Sequence, residues 1–172
     1  ANNGGSIGAV GFDTPRHVVI DTVNRRLFVA ESGNHRVLVF NLNASNQLDD
    51  YTADFVLGQA NFTSGGGGTT QSKLNFPIAL AYDSANRRLF VAELANSRVT
   101  VFDVTSITDG ENAVNVLGQV NFTSSSTGAT QGKFNWTTGV AYDSNNQRLF
   151  VGDSQNNRIL AFDVTSITDG EN

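Results

Sequence analysis

Cysteine and methionine are absent from this 172-residue chain, and proline occurs only twice. Without cysteine, disulfides, zinc–thiolate sites and thiol nucleophiles are excluded. No apolar run approaches the roughly 20 residues that a membrane-spanning helix needs. We therefore expect neither a cysteine-based site nor insertion into a membrane.

Basic charge is also scarce, because the formal net charge is −5 and only Lys73 and Lys133 are lysines. A protein that holds nucleic acid electrostatically needs a dense basic face. The remaining arginines are spread along the chain, so we expect no nucleic-acid partner. Low lysine with abundant Asn, Ser, Thr and Gly is typical of secreted proteins and predicts an extracellular or cell-surface location.

Phenylalanine, valine, leucine and glycine are abundant, which favours β-structure. A segment of about 60 residues occurs three times, and such a period is the signature of a repeat architecture. Leu-Phe-Val-Ala at 27–30 returns at 89–92 and, as Leu-Phe-Val-Gly, at 149–152; residues 103–112 recur identically at 163–172. The repeat predicts three units: 1–59 with an N-terminal Gly-rich loop, 60–119, and 120–172.

Each unit is predicted to contain short strands separated by turns rich in Asp and Asn, which bond their own backbone and tolerate left-handed φ. The first strands are expected at 17–21, 79–83 and 139–143, and the second strands begin at the repeated Leu-Phe-Val. Third strands are expected at 36–40, 98–102 and 158–162, and fourth strands only at 53–57 and 113–117. Four strands per repeat predict an all-β fold of antiparallel β-propeller blades.

The stretch Asn24-Arg25-Arg26-Leu27-Phe28-Val29-Ala30-Glu31, followed by Asn34-His35-Arg36-Val37, resembles the NHL-repeat family, whose motif centres on Asn-x-Arg-Val. Asn-Ser-Arg-Val at 96–99 and Asn-Asn-Arg-Ile at 156–159 repeat it. The Val-Leu-Gly-Gln stretch is similar to the bacterial members with long repeats of about 60 residues. The resemblance implies β-propeller blades, and family members usually close as six-bladed rings.

The third blade is predicted to lack its outermost strand, so the fold is a partial ring. Two open blade faces and one exposed strand edge then follow, and such an edge is a template for pairing with another chain. The predicted assembly edge comprises Arg158, Ile159, Leu160, Ala161 and Phe162. The expected partner is the chain itself, as a homo-oligomer or polymer, or the remainder of a longer propeller chain of which this is a segment.

The most regularly patterned polar residues are Asn34, Arg36, Asn96, Arg98, Asn156 and Arg158. Because they recur in every blade, they are interpreted as structural: Asn shapes a turn, and Arg bridges to acidic groups or carbonyls of the neighbouring blade. The same interpretation applies to Asp21, Asp83 and Asp143. A ligand site lined by these residues is the alternative.

No catalytic residue and no cofactor is predicted, because no nucleophile motif or phosphate-binding loop occurs. Glu31, Glu93 and Asp153 end the second strands and are candidates for an acidic ring that binds a cation in the channel. His17, on an inner strand, is a further candidate metal ligand, although two histidines alone cannot form a three-ligand zinc site. Asp109-Gly110 and its copy at 169–170 are interpreted as turns between third and fourth strands.

Four sequons, at Asn43, Asn61, Asn121 and Asn135, are possible N-glycosylation sites in a secreted protein. The leading functional hypothesis is a non-catalytic extracellular module for protein interaction or self-assembly, such as a fibre or surface subunit. The alternative is a metal-dependent propeller enzyme of lyase or lactonase type that uses the central channel. An RNA-binding propeller, a third hypothesis, conflicts with the acidic charge.

Overall fold

The computed structural model describes residues 7–171, which form eleven β-strands and a single 3₁₀ turn at Ser154–Asn156. In chain order the strands are β1 (Pro15–Asp21), β2 (Arg26–Glu31), β3 (Arg36–Asn41), β4 (Phe55–Leu57), β5 (Pro77–Asp83), β6 (Arg88–Glu93), β7 (Arg98–Asp103), β8 (Asn115–Leu117), β9 (Thr137–Asp143), β10 (Arg148–Asp153) and β11 (Arg158–Asp163). No helix between residues 7 and 171 is long and apolar enough to cross a membrane.

The strands form three antiparallel sheets, which we call blades 1, 2 and 3. Blade 1 has the order β1-β2-β3-β4, blade 2 the order β5-β6-β7-β8, and blade 3 the order β9-β10-β11. The first strands of successive blades lie side by side, β1 against β5 and β5 against β9. This arrangement confirms the predicted all-β blades and, within the described residues, the three-stranded third blade.

The largest differences from the predicted strand boundaries are in the first and fourth strands. The first strand of each blade begins two residues earlier than expected, at Pro15, Pro77 and Thr137. The fourth strand is shorter than expected, because its first predicted residues bond outside the ladder: the Ala53 N–H donates to the Ala9 carbonyl at 2.8 Å, and the Ala113 N–H to that of Gln71 at 2.9 Å. The fourth strand is therefore held at one end by the loop that enters its own blade.

Each blade packs face to face with the next, and these interfaces form the core. Alternate side chains of a strand point to opposite faces. We call the face toward the following blade the trailing face and the face toward the preceding blade the leading face. The trailing-face side chains Phe28, Val37 and Val39 of blade 1 are fully buried against blade 2, where Leu89, Val91 and Phe102 are equally buried. Two interfaces of this kind join the three blades.

The Asp-Gly turn after the third strand, predicted only as a turn, also contacts the preceding blade. In blade 2 the Asp109 carboxylate accepts the Val56 N–H at 2.9 Å, and the Gly110 N–H donates to the Val56 carbonyl at 3.1 Å. Asp169 and Gly170 bind Val116 in the same way, at 3.0 and 3.2 Å. The turn therefore satisfies backbone groups on the outer strand of the neighbouring blade, which would otherwise form an open edge.

The glycine of the Val-Leu-Gly-Gln motif is required by its backbone conformation. Gly58 and Gly118 have φ of +83° and +82°, a region that side chains rarely adopt. A Cβ at Gly118 would also lie only 2.1 Å from the Phe134 ring. The motif thus needs glycine for the turn and for the close packing of the loop that follows.

Replacing this glycine is expected to destabilise the fold. Gly118→Ala should lower the free energy of unfolding by about 2 kcal/mol or more, because it adds both backbone strain and a steric clash. Gly66→Ala is the matched control, since Gly66 has no positive φ and its nearest neighbour, Lys73 Nζ, is 4.0 Å away. Urea denaturation measures both, and equal losses would contradict the assignment.

Candidate functional site

A polar cluster joins the second and third strands at the same end of every blade. Its carboxylate ends the second strand, its Arg begins the third strand directly opposite in register, and its Asn lies in the turn between them. The three clusters are Glu31–Asn34–Arg36, Glu93–Asn96–Arg98 and Asp153–Asn156–Arg158. These are the repeat-motif residues that the sequence singled out, each now with a carboxylate partner.

The Arg and the carboxylate form a short ion pair. The distance from Arg Nε to the carboxylate is 2.6 Å in blade 1 and 2.7 Å in blades 2 and 3. In blades 1 and 2 both side chains are fully buried. The Arg was predicted to pair with acidic groups or carbonyls of the neighbouring blade, but its acidic partner lies in its own blade, because the two residues pair across adjacent strands.

The remaining guanidinium nitrogens bind backbone carbonyls of two loops. In blade 2, Arg98 Nη1 donates to Phe122 O at 2.6 Å, in the loop that leaves the blade. Its Nη2 donates to Thr70 O at 3.2 Å and Lys73 O at 3.0 Å, in the loop that enters the blade. Arg36 does the same in blade 1, with carbonyls of Phe62, Gly8 and Gly11. One buried side chain thus anchors both interblade loops.

Donors surround the carboxylate as well. Glu93 accepts the Asn75 N–H at 2.9 Å and the Asn96 Nδ2 at 2.7 Å, in addition to Arg98. The Thr100 hydroxyl also donates to it, at 3.1 Å. Burial raises the pKa of Glu93 above its usual value, while the Arg98 guanidinium and the other donors oppose this shift. The acceptor capacity of this carboxylate is occupied by the protein itself.

The acidic ring considered as a cation site does not form in this structure. Glu31, Glu93 and Asp153 each bind the Arg of their own blade and are fully buried there, instead of meeting around a channel. Among residues 7–171, no three His, Cys, Asp or Glu side chains come together in a way that could hold a metal. His17 is placed between blades: its Nδ1 accepts the Leu80 N–H at 3.3 Å.

Another histidine joins blades in a way that the sequence did not indicate. His35 follows the cluster Asn of blade 1, and its Nδ1 accepts the Phe76 N–H of blade 2 at 3.0 Å. Ser97, at the same position of blade 2, accepts the Trp136 N–H through its hydroxyl at 3.1 Å. Burial lowers the pKa of His35 and so favours the neutral ring, which is the form that can accept this bond. His35 in blade 1 and Ser97 in blade 2 thus both supply a hydrogen-bond acceptor at this position.

A tyrosine of the inner strand also reaches the preceding blade. The Tyr82 hydroxyl donates to Asp21 at 2.6 Å, while the same carboxylate caps its own turn through Val23 and Asn24. Burial alone would raise the pKa of Asp21, but the hydrogen bonds from Asn24 and Tyr82 hold it below its usual value. Burial and the Asp21 carboxylate together raise the pKa of Tyr82. Asp21 is thus both a turn residue, as predicted, and an interblade acceptor.

The predicted assembly edge, β11, is partly exposed. Ile159 is 70% exposed and Ala161 is also exposed, whereas Phe162 is buried at 3%. Arg158 and Leu160 are half-buried, and the Arg158 side chain is 26% exposed, unlike its counterparts in blades 1 and 2. The trailing face of blade 3 also leaves Phe150 exposed at 39%.

At the other end of the chain of blades, the leading face of blade 1 is exposed too. Val18 is 57% and Ile20 48% exposed. Beside them lies an apolar groove of about 280 Å³, lined in part by Leu27, Leu48 and Tyr51. The two open faces are therefore apolar surfaces at opposite ends of the stack.

The four sequons lie in loops with different exposure. Asn61 and Asn121 are exposed at equivalent positions after β4 and β8, and the side-chain oxygen of each caps the turn that follows. Asn43 and Asn135 are half-buried, and the Asn43 amide donates to Asp49 at 2.8 Å. Glycosylation stays a prediction, with Asn61 and Asn121 the more accessible sites.

Residues 12–40, which run from before β1 into β3, match the NHL repeat. No curated protein matches the chain. Among solved structures it is similar to hydrazine synthase of Kuenenia stuttgartiensis (TM-score 0.59, 13% identity, 96% of this chain and 36% of that chain). It is also similar to the WD40 β-propeller domain of Doa1 (TM-score 0.55, 13% identity, 87% and 38%) and to the β-propeller domain of Myceliophteria thermophila Cps50 (Swd1) (TM-score 0.52, 10% identity, 90% and 37%).

These comparisons confirm the NHL resemblance in blade 1 and the β-propeller fold. The chain spans little more than a third of the length of each of these structures. At such low identity the similarity concerns the fold and not the activity of those proteins.

The interblade tyrosine is expected to contribute measurable, pH-dependent stability. Tyr82→Phe should cost about 1.5–3 kcal/mol at pH 7, because it removes a hydrogen bond to a charged group. Since the folded-state pKa of Asp21 is lowered, its bonds stabilise the fold above about pH 4 and are lost as the pH falls through the folded-state value. The stability difference between wild type and variant should therefore shrink in acid.

Urea denaturation at pH 7 and pH 3 tests this expectation. Tyr51→Phe is the matched control, because Tyr51 is 60% exposed and its hydroxyl should contribute less than about 0.5 kcal/mol. A Tyr82→Phe deficit of the same size at both pH values would argue against the bond to an ionised Asp21.

Proposed function

We propose that this chain is a non-catalytic protein-interaction module, a partial NHL-type propeller that associates through its open blade faces. The observation that carries the proposal is the contrast between equivalent positions. Val37 and Val99 are fully buried between blades, whereas Ile159, at the same position of blade 3, is 70% exposed. This apolar position is buried wherever a further blade follows. Its exposure in blade 3 therefore favours a protein partner at that face.

The repeated polar residues support this function rather than chemistry. Each cluster carboxylate accepts at least three hydrogen bonds from its own blade, as Glu93 does from Arg98, Asn96 and the Asn75 N–H. A catalytic acid, base or metal ligand needs a free proton or lone pair that faces a substrate. In these clusters the polar groups bind the interblade loops instead, which favours a structural role over a catalytic one.

The partner that fits best is another propeller blade, either from a second copy of the chain or from the rest of a longer propeller. We further propose that the module acts outside the cell, as a self-associating surface or fibre component. Its low lysine content and the exposed sequons Asn61 and Asn121 support that location.

Sedimentation velocity on the purified chain tests the interaction function. Between about 1 and 50 μM we expect the weight-average mass to rise above 18.4 kDa with concentration. The association should persist at 1 M salt, because the contact is apolar and salt screens only charges. A folded chain that stays at 18.4 kDa at every concentration would contradict self-association.

A further inference from the structure

The two interfaces between blades within the chain show which residues of one blade face contact the next blade. At the interface between blades 1 and 2, Phe28 lies against Tyr82, with ring centroids 5.8 Å apart. At the interface between blades 2 and 3, Phe90 lies against Tyr142 at the same distance. A trailing-face Phe thus meets an inner-strand residue from the leading face of the next blade.

The free trailing face of blade 3 carries the same surface. Phe150 occupies the position of Phe28 and Phe90, and Ile159 that of Val37 and Val99. Both are exposed, whereas all four counterparts are fully buried. The lining of this face is otherwise small or apolar, including Gly139, Ala141 and Gly152. It is therefore shaped to receive a leading face.

The free leading face of blade 1 differs from the internal ones at two positions. Ile20 replaces Tyr82 and Tyr142, which removes the hydroxyl that would reach an Asp of a preceding blade. Asp49-Asp50 replaces the Asp-Gly turn that binds the outer strand of a preceding blade. Blade 3 fits the second change, because among the described residues it has three strands and so offers no outer strand that such a turn would bind.

From these correspondences we infer that the leading face of blade 1 docks on the trailing face of blade 3 of a second copy of this chain, with Ile20 against Phe150. The inference rests on the proposed interaction function and specifies its partner and its polarity. The contact is heterologous, because two different faces meet. Each copy therefore contributes its leading face to one contact and its trailing face to another. It continues the interface that already joins the blades within the chain.

Two single-face variants test the polarity. Ile20→Asp blocks only the leading face and Ile159→Asp only the trailing face, and both side chains are exposed within one chain, so the fold should tolerate them. Each variant alone is expected to bind itself at least about 30-fold more weakly than wild type, as for a central apolar contact. Mixed in equal amounts, they should form a complex of twice 18.4 kDa and no larger, since each retains one working face.

Val114→Asp is the matched control and should associate as wild type does. Val114, directly before the outer strand β8, is 48% exposed, and blade 1 has Asp54 at the same position. The measurement is sedimentation velocity, with circular dichroism to verify folding. If either Asp variant misfolds, Val18→Ser and Ile159→Ser provide a milder pair.

Three results overturn the inference. One is a mixture that stays monomeric, and another is a variant that still associates with itself as wild type does, which would mean that like faces pair. If wild type associates but the mixture does not, the interaction function stands and only this docking geometry is refuted. A wild type that stays monomeric refutes both this docking geometry and self-association.

Discussion

The ion pair of the cluster Arg, fully buried in blades 1 and 2, is the interaction on which the rest of the structure depends. In blade 2, Arg98 neutralises Glu93, both side chains being fully buried, and holds carbonyls of the entering and leaving loops. A buried charge is costly unless it is paired and fully hydrogen-bonded. A loop path that moved these carbonyls would leave a guanidinium donor unsatisfied, and this requirement restricts the path of the chain from blade to blade.

The same requirement explains why regularly repeated polar residues are not a catalytic site here. Asn96 donates to Glu93 and to Gly68 O, so it closes the cluster between the strands and the entering loop. Interblade contacts then add a second set of polar anchors: His35 or Ser97 toward the next inner strand, and Asp109 toward the preceding outer strand. The two open faces expose apolar side chains such as Ile20 and Ile159, which is why association is the activity we propose.

Much of the fold was predictable from the sequence because the repeat displays it three times. Leu-Phe-Val at the second strand predicts burial on both faces, and Asp21 with Asn24 predicts the turn. The Arg–carboxylate pair was harder to predict from the sequence, because it depends on strand register: Glu31 and Arg36 are directly opposite only once β2 and β3 pair. Contacts between blades, such as Tyr82 with Asp21, join residues far apart in sequence. The one signal in the sequence was that blade 1 has Ile20 at the position where blades 2 and 3 have Tyr82 and Tyr142. This difference indicates that the Tyr contacts a preceding blade.

A double-mutant cycle on Glu93 and Arg98 tests the central claim most directly. Glu93→Gln and Arg98→Met each remove one charge and leave the other buried, so each should be strongly destabilising, by about 3–5 kcal/mol. If the pair and its loops form one unit, the double variant should be more stable than the sum of the single losses implies, by at least about 1 kcal/mol. Losses that add to within about 0.5 kcal/mol would contradict the view that the two charges depend on each other.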